Sequence, residues 1–197
     1  MIASLAESRR GALAGITPLK KHWAGQAVLV IAGSLAVALL AQVSIPLPFT
    51  PVPVTGQTLA VLLVGGALGG TLGGLSLLLY LAEGAVGFPV FAGHVGGMPF
   101  GPTGGYLLGF VVMAFVVGRL ADRGWDRSLV KSILAMLIGE LVLYAIAVPW
   151  LGFYVGFNHA IPMGFIPFAT GDGLKLLLAG AMFPAAWKLV GSRPSAG

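Results

Sequence analysis

The 197-residue chain is 57% hydrophobic and 9% charged, and its mean hydropathy is +0.97. This composition excludes an ordinary soluble domain and a disordered chain, and it predicts a polytopic membrane protein. The formal net charge of +5 would suit nucleic acid, but the basic residues flank apolar runs, so no nucleic-acid partner is expected. Because there is no cysteine, disulfides and thiolate metal sites are excluded.

Six apolar runs predict six transmembrane helices, and the fold class is therefore all-α integral membrane. In chain order the runs cover residues 24–43, 55–69, 71–82, 105–121, 130–150 and 173–190. We expect a cytoplasmic N-terminal segment 1–23, a transmembrane domain 24–190 and a cytoplasmic tail 191–197. A cleaved signal peptide is not expected, because the first run is long and Pro-rich sequence follows it.

The second and third runs are short, since 12 to 15 residues cover only ~18 to 23 Å of a ~30 Å hydrocarbon core. They would fit one bent helix, but charge favours two helices. The basic residues form three clusters that the positive-inside rule places in the cytoplasm. An even number of crossings must separate the first two clusters, and the glycine-rich segment 65–74 is the natural place for the reversal. The clusters are Arg9, Arg10, Lys20 and Lys21; Arg119, Arg123, Arg127 and Lys131; and Lys188 with Arg193.

The three longest connections, 44–54, 83–104 and 151–172, then all lie on the outer face. They are rich in Gly, Pro and aromatic residues. Irregular backbone is tolerated in a membrane protein where protein or water covers it, and such loops often carry binding residues. The topology therefore predicts a small-molecule pocket that opens to the outside.

Lys175 is the one basic residue outside the three clusters, and Asp172 precedes it by three residues at the start of the last apolar run. On a helix the two share a face and can form an ion pair. One interpretation is a preorganised pair for a polar ligand, because charges at the edge of hydrocarbon are costly. The other is that Asp172 caps the helix while Lys175 extends to the headgroups.

The other ionisable residues give weaker signals. Glu140 lies deep in the fifth run, where a neutral, hydrogen-bonded structural role is favoured over a proton relay or cation site. Glu83 is expected at the outer interface, as a structural residue or at the pocket rim. His94, within FAGHVGG, is the one histidine in a loop that would face a ligand. No metal-ligand spacing and no catalytic set is evident, so we expect neither a cofactor nor an enzyme.

Small residues recur along the first run. Ala32 and Ala36, together with Ser34 and Ala38, form two overlapping stripes. Internal helix packing and docking of a second membrane protein both fit this pattern.

Four stretches, taken in order, resemble the BioY family. They are IPLPFTPVPVTGQTLAVLL, GFPVFAGHVGG, GPTGGYLLGF and PFATGDGLKLLL, between about residues 45 and 181. Members of this family are the biotin-specific substrate-binding (S) components of prokaryotic energy-coupling factor (ECF) transporters. The chain departs modestly from the family pattern at His94, Thr170 and Gly173.

The resemblance implies the S-component fold, with both termini cytoplasmic and a biotin pocket beneath the first and third outer loops. The third outer loop maps to residues 91–105. The implied ligand-binding residues are Asp172, Lys175, His94, Phe91, Tyr106 and Trp150, with the aromatic residues as walls. Ala32 and Ala36 map to the family's docking motif for a transmembrane coupling subunit of the EcfT type, which cytoplasmic ATPases drive.

The expected function is high-affinity capture and uptake of biotin across the prokaryotic cytoplasmic membrane. Two alternatives stay open. One is an S component of the same fold for another vitamin, and the other is an intramembrane enzyme, which would need two or more catalytic groups at one depth.

Overall fold

The computed structural model describes residues 12–98 and 100–191. Parts of the predicted N-terminal segment and tail, including Arg9, Arg10 and Arg193, lie outside the described residues. Among the described residues the regular elements are helices and one hairpin of two short strands, joined by loops. The α-helices are α1 (Trp23–Ala41), α2 (Gln57–Leu68), α3 (Gly70–Ala85), α4 (Gly104–Asp122), α5 (Leu129–Val155), α6 (Phe157–Gly164) and α7 (Ile166–Gly191). Three short 3-10 helices cover Leu13–Ile16, Pro18–Lys21 and Trp125–Arg127.

The prediction of six helices is confirmed, and α6 is an additional helix of eight residues. Four described segments are long and apolar enough to span a membrane: Trp23–Ala41, Gly104–Asp122, Leu129–Val155 and Phe157–Val190. The segments α2 and α3 are shorter, at 12 and 16 residues. Helix α2 tolerates its length because protein surrounds it: it packs against α1, α3, α4 and α7.

The reversal between α2 and α3 occurs at Gly69, within the predicted glycine-rich segment. Gly69 has φ 86°, a conformation that favours glycine. The two helices then run back against each other, so closely that a Cβ on Gly73 would lie 2.9 Å from the Cα of Gly65. The two-helix interpretation of residues 55–82 is therefore confirmed.

The predicted outer connection over residues 151–172 is wrong as a loop. Helix α5 continues to Val155, α6 follows, and α7 begins at Ile166 rather than Gly173. The sequence Thr-Gly-Asp-Gly interrupts the apolar pattern and resembles a helix end, yet it lies within α7. Pro167 is compatible with this start because a proline is tolerated in the first turn of a helix. Asp172 is therefore not an N-cap.

The first outer connection contains the hairpin, which was not predicted. Strand β1 (Ser44–Ile45) pairs antiparallel with β2 (Val54–Thr55). It joins the outer ends of α1 and α2, and it carries the segment between its strands over the end of the bundle.

The segments with the predicted cytoplasmic charge meet at the opposite end. The Nζ of Lys20 lies 3.9 Å from Asp122 Oδ1 and donates a hydrogen bond to the carbonyl of Leu68. The other carboxylate oxygen of Asp122 accepts the Gly70 amide at 3.0 Å. The N-terminal flank, the α2–α3 turn and the end of α4 thus share one side, as the charge pattern predicted.

Candidate functional site

A cavity of about 740 Å³ lies at the outer end of the bundle. Its walls come from the segment 44–55, the first turn of α2, the loop 91–98 and the outer parts of α4 and α7. Most of the lining is apolar, and the polar side chains that line it include Gln42, Thr50, Gln57, Thr58, Asp172 and Lys175. A volume of this size suits a small molecule, and a few convergent polar groups in an apolar pocket are typical of a specific site.

Asp172 is the centre of the polar floor. Its side chain is 8% exposed and accepts three hydrogen bonds. Thr58 and Lys175 both donate to Oδ1 at 2.8 Å, and the hydroxyl of Tyr144 donates to Oδ2 at 2.5 Å. An ionised carboxylate offers about four acceptor positions, so about one position is left for a further donor.

Lys175 faces the interior of the bundle and not the headgroups. Besides Asp172, its ammonium donates to the carbonyl of Thr55 at 2.6 Å and to the hydroxyl of Thr58 at 3.0 Å. These three bonds use the three donors of an ammonium group. The alternative of a capping Asp172 and a lysine extended toward the headgroups is wrong. The pair instead joins α7 to the N-terminal end of α2.

Aromatic residues and α6 brace this floor. The ring of Tyr144 packs edge-on against Phe165 and Tyr106. The Tyr106 hydroxyl donates to the carbonyl of Gly164 at 2.5 Å, and Thr50 donates to the neighbouring carbonyl of Met163 at 2.9 Å. Helix α6 is thus bonded to residues that line the cavity, and it fixes one wall.

The structure brings together five of the six predicted ligand-binding residues. Asp172, Lys175, His94, Phe91 and Tyr106 all line the cavity. The sixth, Trp150, is not among the described lining residues; its indole N–H donates to the carbonyl of Gly101, so it supports the connection before α4. That these residues line the cavity is observed, whereas their contacts with a ligand stay predictions.

The two remaining membrane acids lie away from the cavity lining. Glu83 accepts a bond from Ser34 at 2.6 Å and joins α3 to α1, rather than lying at the pocket rim. Glu140 is 5% exposed, and neither carboxylate oxygen has a hydrogen-bond partner among the described residues. The hydrogen-bonded structural role expected for Glu140 is therefore not seen in the part of the chain that the structure describes.

Several site residues were not found from the sequence. Tyr144 lies within the apolar helix α5 and Gln42 directly follows the apolar helix α1. Both are neutral and give no charge signal, although Tyr144 follows Glu140 by one helical turn. Thr58 and Gln57 lie within one of the four family-like stretches, TGQTLAV, and that placement was an available signal.

An apolar helical bundle with a buried ion pair beneath a loop-lined cavity is a multi-pass membrane protein with a pocket for a small molecule at one end. The sequence model described as "BioY family" matches residues 9–192. The chain belongs to the BioY family, and the resemblance drawn from the four motifs is confirmed.

Relatives from two organisms illustrate this membership. A probable biotin transporter BioY of Pyrococcus horikoshii is 43% identical over 141 residues, which cover 71% of this chain and 82% of the relative. The biotin transporter BioY of Thermotoga maritima is 39% identical over 154 residues, covering 77% and 90% of the two chains.

A solved structure has the same fold. The S-component for biotin from an ECF-type ABC transporter aligns with a TM-score of 0.73 and 24% identity. The alignment covers 88% of this chain and 95% of the other. This likeness confirms the predicted S-component fold.

Proposed function

We propose that this protein captures biotin at the outer face of the prokaryotic cytoplasmic membrane, as the substrate-binding subunit of an ECF transporter. The observation that carries the proposal is the Asp172–Lys175 pair at the floor of a mostly apolar cavity. The names of the two relatives support the choice of biotin. The protein binds and releases its ligand without chemical change.

The chemistry of biotin matches the site. Its ureido group has two N–H donors and one carbonyl acceptor, its thioether ring is apolar, and its side chain ends in a carboxylate. The free acceptor position of Asp172 receives one ureido N–H, and apolar residues such as Phe91 and Tyr106 contact the ring system. An analogue that lacks the N–H leaves a buried acceptor unpaired, which gives selectivity.

The contacts of Lys175 favour one of its possible roles. Since all three of its donors are used, a ligand carbonyl or carboxylate would have to replace an existing partner. Lys175 therefore acts mainly by holding the Asp172 carboxylate oriented toward the ligand. Asp172 is the direct contact.

The test is equilibrium binding of tritiated biotin to the purified, detergent-solubilised protein without ATP. Asp172→Asn and Lys175→Ala should each weaken binding by about 1 to 3 kcal/mol or more. Lys188→Ala, which removes a cation at the other end of α7, is the matched control and should bind normally. A panel of unlabelled vitamins should compete poorly with biotin. Undiminished binding in both site variants would show that the pair does not take part in binding.

The partner is proposed from the outward face of α1. Ala32 is exposed and Ala36 is half-buried, whereas Ser34 and Ala38 of the overlapping stripe are buried in the bundle. A small residue on a lipid-facing surface lets a second helix approach closely. We propose that Ala32 and Ala36 dock a transmembrane coupling subunit of the EcfT type, which cytoplasmic ATPases energise.

Ala32→Trp should abolish co-purification with the coupling subunit and leave biotin binding intact. Leu141→Trp is the control, because Leu141 is 60% exposed on α5, which does not belong to the proposed face. Loss of biotin binding in Ala32→Trp would assign the stripe to internal packing, and normal assembly of this variant would place the docking face elsewhere.

A further inference from the structure

Residues 88–97, which we call the lid, form a turn with its own backbone hydrogen bonds and not an extended connection. Phe91 and Val95 form an antiparallel bridge, and the Phe91 amide donates to the Val95 carbonyl at 2.9 Å. Gly93 and His94 turn the chain with φ 76° and 59°. A positive φ is uncommon for a residue other than glycine, so other contacts must hold this turn.

Gln42, at the end of α1, provides the first set of contacts. Its Nε2 lies 3.2 Å from the carbonyl oxygen of Val90 and 3.4 Å from that of Phe91. Its Oε1 accepts the backbone N–H of His94 at 3.1 Å. One carboxamide thus contacts both sides of the lid turn, including the residue with positive φ.

Tyr80, on α3, provides the second contact. Its hydroxyl donates to the same Val90 carbonyl at 3.2 Å and accepts a bond from Nε2 of Gln57 at 2.6 Å. Its ring packs edge-on against Phe91, which also lies against Gly84 so closely that a Cβ there would overlap the ring.

The two contacts differ in their relation to the cavity. Gln42 and Gln57 line it, whereas Tyr80 is not among the described lining residues. The bonds from Gln57 to Tyr80 and from Tyr80 to Val90 run in one direction, and such chains strengthen each member. A ligand that orders Gln57 would therefore also order the lid, without touching Tyr80.

We propose that Gln42 and Tyr80 are positioning residues that hold the lid over the cavity and set how long the ligand stays bound. The inference rests on the proposed function for its ligand. Tyr80 provides the clearer test, because its hydroxyl bonds the lid from outside the cavity, so that its replacement does not remove a ligand contact. Loss of either contact favours an open lid and speeds ligand escape.

Two measurements on the purified full chain test this inference. The first is hydrogen–deuterium exchange of the peptide that contains the lid, without ligand. The second is the dissociation rate of tritiated biotin after a chase with unlabelled biotin. Tyr80→Phe removes one hydroxyl and keeps the ring, and it should raise both lid exchange and the dissociation rate, by about fivefold for a single hydrogen bond.

Gln42→Ala should have a larger effect, because it removes the contacts to Val90, Phe91 and His94 together. Gln42→Glu should also open the lid, since it keeps the acceptor for His94 but turns a carboxylate oxygen toward two carbonyl oxygens. Because Gln42 and Tyr80 share the Val90 carbonyl, the double variant Gln42→Ala, Tyr80→Phe should exceed the product of the single effects. Gln26→Ala, in the half of α1 far from the lid, is the control and should leave lid exchange and the dissociation rate at their wild-type values.

Unchanged lid exchange and unchanged dissociation in Tyr80→Phe would overturn the proposal. So would an equal effect from Tyr154→Phe, whose hydroxyl bonds the Phe100 carbonyl outside the lid. If wild-type protein binds no biotin, the proposed function fails, and the exchange measurement still decides whether Gln42 and Tyr80 hold the lid.

Discussion

Replacing Asp172 with Asn keeps the shape of the side chain and removes the charge that neutralises Lys175. The ammonium would keep two neutral acceptors, the carbonyl of Thr55 and the hydroxyl of Thr58. Since the lysine side chain is only 19% exposed, water cannot replace the lost counter-charge fully. Replacing Lys175 with Met has the opposite effect and leaves Asp172 with neutral donors, including Tyr144.

The structure predicts that each single change is costly and that the double change is not. Removing one partner of a buried ion pair costs about 3 to 5 kcal/mol, because the other charge stays buried. The double variant Asp172→Asn, Lys175→Met buries no charge, and the Thr58 and Tyr144 hydroxyls still have a polar partner in Asn. We expect it to lose about 2 kcal/mol or less, which gives a coupling free energy of about 4 kcal/mol or more.

Thermal unfolding in detergent without ligand, followed by tryptophan fluorescence, measures this coupling. Each single variant should unfold at a temperature lower by on the order of 10 °C, and the double variant within about 5 °C of wild type. Lys188→Met, which removes an exposed lysine from α7, is the control and should leave the unfolding temperature unchanged. If the double variant loses as much as the two single variants combined, the pair does not stabilise the fold as a unit. Biotin binding should be lost in the double variant even though its stability recovers.

Two further predictions concern the ends of the molecule. His94 is an exposed residue of the cavity lining, and we propose that it contacts the ligand carboxylate. His94→Ala should then weaken binding of biotin by about 1 kcal/mol and leave that of the uncharged biotin amide unchanged. Equal weakening of both ligands would contradict this. Burial raises the pKa of Asp126 above its ordinary value, despite a bond from Trp187 at 2.6 Å. The folded state then binds this proton more tightly than the unfolded chain, so the contribution of Asp126 to stability falls as pH rises through its raised pKa. Asp126→Asn should therefore gain thermal stability relative to wild type over that pH interval, and a constant difference would refute the assignment.

Hydropathy and charge predicted most of the fold, because lipid imposes long apolar segments and the positive-inside rule orients them. The same reasoning placed the start of α7 wrongly. Thr170 and Asp172 interrupt an apolar run, and in lipid such residues would end a helix. Here protein covers Asp172, so the helix continues through it. A buried binding site within a helix therefore resembles a helix end in the sequence.

The site was predicted only as far as its charges. Lys175 was evident because a cation away from the cytoplasmic clusters is costly. Its partners were not evident, because a tyrosine or threonine on an apolar helix is common and has many possible roles. Whether Tyr144 reaches Asp172 depends on how α5 and α7 pack, and local sequence does not encode that. The hairpin of β1 and β2 escaped prediction for a similar reason, since two-residue strands are defined by pairing and not by propensity.

The shortness of α2 links these observations. Its first turn holds both polar systems, since Thr58 bonds Asp172 and Gln57 bonds Tyr80 beneath the lid. At 12 residues α2 covers ~18 Å, about 12 Å less than the hydrocarbon core. The cavity lies at the N-terminal end of α2, where Gln57 and Thr58 line it. The shortness of α2 thus leaves its first turn inside the bundle, as part of the cavity floor.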